Sequence, residues 1–93
     1  MKITTDFLRE THFVLTDEDD KIIAIIHVPQ GEQDITEKVI QAIKDDCQSE
    51  FAVLVSDCVL DPSESNSFEV EIQEERGDET HPTTFYLDQI EIY

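Results

Sequence analysis

Residues 21–28 read KIIAIIHV, and no other stretch restricts the fold of this chain as strongly. In a strand, successive side chains point to opposite faces. Ile22, Ala24, Ile26 and Val28 share one parity while Ile23 and Ile25 take the other, so both faces are apolar. Such a strand is expected to lie centrally in its sheet, covered on both sides. The rest of the chain then packs against it, pairs beside it, or coats the sheet with charge.

Just upstream, residues 11–16 place HFVL between two threonines and read as a second strand. The polar tetrad Asp17, Glu18, Asp19 and Asp20 joins the two as a hairpin turn. Residues 3–10 lack clean periodicity and admit either a short helical turn or an edge strand. Pro29 and Gly31 end the central run, because Pro cannot donate to a ladder and Gly permits a positive φ.

A helix follows. Asp34 stands three residues before Glu37, the spacing of a capping box with Asp in the Ser/Thr role. Ile35, Val39, Ile40, Ala42, Ile43 and Cys47 recur at helical spacing and form one apolar stripe. Each large aliphatic side chain on it contributes about 1.5–3 kcal/mol when fully buried. Asp45 and Asp46 lie toward the far end, where the helix dipole is negative and a carboxylate costs up to about 1 kcal/mol.

Residues 51–56, FAVLVS, are again apolar on both parities and read as a second central strand. Residues 57–66 carry Pro, Ser and Asn and read as a loop. Phe68, Val70 and Ile72 then alternate with Glu69, Glu71 and Gln73, the pattern of a half-buried strand with an anionic outer face. Residues 75–83 read as a turn region and 84–93 as a last strand. Its apolar parity changes between Phe85/Leu87 and Ile90/Ile92, which predicts a β-bulge near Asp88 or Gln89. The expected fold is α+β: one 93-residue domain with an antiparallel or mixed sheet of about five strands in ββαβββ order and one amphipathic helix on one face. Two strands apolar on both sides leave a second sheet face to be covered, either by the N-terminal residues or by a second copy in a homodimer.

Composition enters through charge. With 23 acidic and 6 basic residues the formal net charge is −17. Residues 1–44 hold nine acids and five bases, whereas residues 45–93 hold fourteen acids and Arg76 alone. Nucleic acids and anionic membranes are bound through clustered Lys and Arg, so the expected partner is a basic protein, possible examples being those that themselves handle nucleic acid. No apolar run approaches the roughly 18 residues of a membrane span. Residues 1–10 lack the apolar core of a secretory signal. The expectation is a cytoplasmic protein whose two cysteines, Cys47 and Cys58, are reduced.

Alternate residues on a strand stand about 6.6 Å apart, so Glu69, Glu71 and Glu75 would form a row of carboxylates with the spacing and sign of a phosphate backbone. Asp78 and Glu79 continue it through the turn, and with the bulge where it is expected, Tyr86, Glu91 and Tyr93 extend it from the neighbouring strand. Asp45 and Asp46, with Asp57 and Asp61, would make a second patch near the helix end. The plainer explanation is that these acids solvate an exposed face and discourage edge aggregation.

Other constellations are less specific. The tetrad at 17–20 has no Gly for the sharp turn of a calcium loop. His12, His27 and His81 match no metal-binding spacing. His12 and His27 nevertheless fall on neighbouring strands, where a nearby carboxylate would complete a zinc or acid/base site; the plainer reading of His27 is a satisfied, partly buried side chain. Cys47 reads as core, and Cys58 has no fixed relation to a histidine. Arg76, Gly77 and Asp78 spell an adhesion tripeptide that reads more simply as turn chemistry. No catalytic residue, metal or cofactor is expected.

The leading expectation is a non-enzymatic acidic interaction protein that docks its anionic sheet face on a basic partner to block or regulate it. Nucleic-acid mimics and immunity-type inhibitors work by that logic. The second is a homodimeric structural or adaptor domain whose acidity serves only solubility. The third is a small metal- or ligand-binding domain built on His12 and His27.

Overall fold

The alternation of Phe68, Val70 and Ile72 with Glu69 and Glu71 becomes a strand buried on one side and exposed on the other. In the computed structural model, which describes residues 1–61, 66–73 and 80–90, this strand belongs to a five-stranded sheet. The elements in chain order are β1 (Ile3–Phe7), β2 (Thr11–Thr16), β3 (Ile22–Val28), β4 (Gly31–Asp34), α1 (Thr36–Cys47), β5 (Ala52–Leu54), β6 (Cys58–Val59), β7 (Asn66–Gln73) and β8 (Thr80–Ile90). The large sheet runs β3-β2-β8-β7-β5 and the small one β4-β1-β6. Neighbours in the large sheet are antiparallel throughout. In the small sheet β1 is antiparallel to β4 and parallel to β6.

The protein is therefore α+β, but in two sheets rather than one, and the ββαβββ order is replaced by four strands on either side of the helix. The three additional strands are β1, β4 and β6. Their sequences, ITTDF, GEQD and CV, carry little apolar alternation. They are strands because β1 finds partners on both sides, and pairing of that kind is a tertiary event.

The two runs with apolar residues on both parities do not lie centrally. They are β3 and β5, the two edges of the large sheet. Within β3, Leu15 faces Ala24 while Thr16 faces Ile22, so Ile23 is an extra residue and the register shifts there. That bulge reverses the parity of the run. Ile26 and Val28 are buried, whereas Ile22 and Ile25 are 63% and 52% exposed. In β5, Ala52 and Leu54 are buried and Val53 is exposed.

The bulge expected in the last strand is absent from its described residues. β8 pairs with β2 in unbroken register from Tyr86 opposite Thr16 to Ile90 opposite His12. Ile90 simply faces the other side from Leu87, and Ile92 lies outside the described residues. β8 also starts earlier than expected, with Thr80 to Thr83 paired to β7 instead of forming a turn.

Helix α1 contacts both edge strands. Four strand spacings separate β3 from β5, about 19 Å in a flat sheet, against a helix diameter of about 10–12 Å. The sheet must curl around the helix for both contacts to exist. Ile35, Val39 and Ile43 accordingly share one buried cluster with Phe13, Leu15, Val70, Phe85 and Leu87. The small sheet closes the same side: Ile3 is fully buried, and the Phe7 ring lies 5.7 Å from that of Phe13. The N-terminal residues thus pack on the inner side and do not cover the second face of the large sheet.

Gly31, at φ +87°, turns the chain from β3 in one sheet into β4 in the other. Asp34 then serves the helix start differently from a capping box. Its Oδ1 accepts the Thr36 amide at 3.0 Å and the Thr36 hydroxyl, while Thr36 Oγ1 accepts the Ile3 amide at 2.8 Å. These bonds hold its carboxyl below the usual range, the hydroxyl first and the amide second. The residue preceding the helix is Ile35, which has no side chain able to cap it.

Candidate functional site

The outer face of the large sheet follows from register alone. Phe13, Leu15, Phe85, Leu87, Phe68 and Val70 point inward and are buried, so their strand neighbours point outward. Across β3, β2 and β8 this sets Ile25 beside Val14 and Asp88, and His27 beside His12 and Ile90. Tyr86 stands between Thr16 and Ser67, Thr84 beside Glu69, and Glu71 between Pro82 and Val53.

The face has two characters. Its β7 side presents Glu69 and Glu71, both exposed, with no cation within salt-bridge distance among the described residues. Its β3–β2–β8 side presents a histidine pair in line with Ile90, then Ile25, Val14 and exposed Asp88, then Tyr86. His12 and His27 are direct cross-strand partners with ring centres 5.0 Å apart and planes inclined by 44°. His27 Nε2 lies 3.2 Å from Glu10 Oε2.

Tyr86 therefore shares the face of Glu69 and Glu71, as the sequence reading requires. Glu75, Asp78, Glu79 and Glu91, together with Tyr93 and the tripeptide at 76–78, lie outside the described residues. Asp45 and Asp46, expected as a second patch, belong to α1, which packs on the inner side of the sheet. Both have local partners. Asp46 Oδ1 pairs with Lys21 Nζ at 3.0 Å, and Asp45 Oδ1 accepts the Gln41 amide at 2.9 Å. Asp57 Oδ1 accepts the Lys2 amide at 2.9 Å, so that carboxylate too is engaged within the fold.

The tetrad at 17–20 is occupied as a turn. Asp17 Oδ1 accepts the amides of Asp19 and Lys21 at 2.9 and 3.0 Å, and Asp20 takes a positive φ of 61°. Glu18 accepts the Thr84 amide at 3.0 Å, where β2 has ended and β8 needs an acceptor. Both cysteines are free. Cys47, expected in the core, is exposed, because it sits at the last position of the helix. Partial desolvation, joined at Cys47 by the neighbouring Asp46 carboxylate, pushes both thiols above the ordinary cysteine value. Among the described residues no three His, Cys, Asp or Glu side chains converge as a metal cluster.

A second apolar face was expected from the two-parity runs, but Val14, Tyr86 and Ile90 were not assigned to it, although the signal was present. Once Phe13 and Leu15 are assigned to the core, His12 and Val14 must face the other way. What could not be read was that β3 and β8 flank β2, which turns isolated residues into one surface. The chain matches no protein-family model, no curated protein and no solved structure.

Proposed function

We propose that this protein is a non-enzymatic interaction protein that docks the outer face of its large sheet on a basic protein, blocking or regulating it. The observation that carries the proposal is the pair of exposed carboxylates Glu69 and Glu71, without a local counter-ion among the described residues, on the same face as exposed Ile25 and half-buried Val14, Tyr86 and Ile90. Protein interfaces combine an apolar centre depleted in charge with a polar rim. Here Val14, Ile25, Tyr86 and Ile90 supply the first, and the β7 glutamates, with Asp88 between Tyr86 and Ile90, supply the second. A net charge of −17 accelerates encounter with a cationic surface and makes association strongly salt-dependent.

The test is capture from a cell lysate on the wild type and on a Glu69→Gln, Glu71→Gln variant. Runs at low salt and at roughly half-molar salt, where the Debye length is about 4 Å, are compared. The expected result is a basic protein retained by the wild type at low salt, lost at high salt and lost with the variant. Retention that ignores both the substitutions and the salt would refute the assignment.

A homodimer through the same face is the second reading, favoured by the 52% exposure of Ile25 on that surface. Light scattering distinguishes it: a dimer that survives half-molar salt and dissociates on Ile25→Lys substitution supports this reading over the first.

A further inference from the structure

We propose that His12 and His27 form a binding site for a borderline divalent metal ion of the zinc class. The inference concerns a different part of the outer face from the glutamates of β7 and does not depend on the docking reading.

The distance between the rings is the first argument. An imidazole nitrogen sits about 1.1 Å from its ring centre and binds zinc at about 2.0–2.1 Å, so two rings on one tetrahedral ion have centres about 5 Å apart. The observed separation is 5.0 Å. The two side chains need no backbone movement to reach it, since the residues are already cross-strand partners in an antiparallel ladder.

The second argument is the proton on His27. An ionised carboxylate only accepts hydrogen bonds, so the contact of Glu10 Oε2 with His27 Nε2 at 3.2 Å places the proton on Nε2. In the neutral ring, Nδ1 is then the nitrogen that presents a lone pair. A ligating histidine that donates its other N–H to a carboxylate is the usual support for a metal site, because it fixes the tautomer and raises the basicity of the ligand.

Surroundings add to this. Val14, Ile25 and Ile90 flank the pair, and the overall charge of −17 concentrates cations at the surface. Two protein ligands leave two positions of a tetrahedral ion to water. The site is thus open and exchangeable, unlike a closed structural zinc.

Zinc chloride titrated into the full chain by calorimetry, at neutral pH in a non-chelating buffer, tests the assignment. One saturable zinc per chain is expected, weakened at least tenfold by His12→Ala or His27→Ala and severalfold by Glu10→Gln. An equal concentration of calcium, which prefers oxygen ligands, should not displace it. Binding that persists in the double histidine variant, that disappears with Cys47→Ser and Cys58→Ser, or that calcium displaces would overturn the proposal. A readout on the unaltered chain avoids any folding defect in the variants. In NMR spectra the ring C–H signals of His12 and His27 should move with substoichiometric zinc while those of His81 stay, and movement of His81 alone, or of none, would refute the site.

Discussion

Lys21 Nζ lies 3.0 Å from Asp46 Oδ1, tying the start of β3 to the last turn of α1. Asp46 stands at the end of the helix where a carboxylate opposes the dipole. Lys21 supplies a counter-charge from another element, and Lys44 supplies one within the last turn. The carboxylate in turn raises the Lys21 pKa, through the hydrogen bond first and the charge second.

Replacing Lys21 with Met should therefore lower the melting temperature at low salt, and the deficit should shrink as salt is added, because an exposed pair is screened. Salt should at the same time raise the melting temperature of both proteins, since the net charge of −17 repels itself. Melts at low and half-molar salt check both effects. A deficit independent of salt would mean that Lys21 contributes through its methylenes rather than its charge.

Asp34 is the group from which a pH dependence follows. Its carboxyl is held below the ordinary range by the Thr36 hydroxyl and amide, so its folded value lies beneath the unfolded value of about 3.9. The stabilisation is fully present above the unfolded value and is lost as pH falls through the folded one. Asp34→Asn should lower the melting temperature at pH 7 and converge with the wild type toward pH 2. Equal deficits across that range would show that the hydrogen bonds, not the charge, carry the effect.

Thr5 is 3% exposed, and among the described residues its Oγ1 is the buried side-chain oxygen without a hydrogen-bond partner. A buried, unsatisfied hydroxyl costs about 1–3 kcal/mol. Thr5→Val keeps the branched shape and removes the orphan, and should raise stability by about 1 kcal/mol. Urea denaturation measures it, and a destabilised variant would mean that the hydroxyl is satisfied in solution.

Helix α1 ends on Gln48 in the left-handed conformation, at φ 52° and ψ 39°, while the Ser49 amide reaches back to the Lys44 carbonyl at 3.0 Å. A residue with a Cβ is strained there, and glycine is the usual occupant. Gln48→Gly should stabilise the protein by about 0.5–1 kcal/mol, less than the full strain because glycine also loosens the unfolded chain. Loss of stability in the same urea assay would show that the Gln48 side chain makes a compensating contact.

Much of this protein was determined by its sequence alone. The inward set Phe68, Val70 and Ile72, the stripe through Ile35, Val39 and Ile43, the hairpin turn at 17–20 and the imbalance of charge all follow from covalent periodicity and residue type. They require no knowledge of what lies alongside. Tertiary structure decided the rest. Apolar residues on both parities of β3 suggested a centre, yet a one-residue bulge at Ile23 and pairing on a single side made it an edge. Where the patch of Asp45 and Asp46 would lie relative to Glu69 and Glu71 was set only when α1 packed inside the curl of the sheet. The meeting of His12 with His27 needed the hairpin register, and the apolar strip needed β8 to return beside β2. Strand neighbours are chosen by contacts between segments far apart in the chain, and a local pattern says which face of a strand is apolar without saying what covers it.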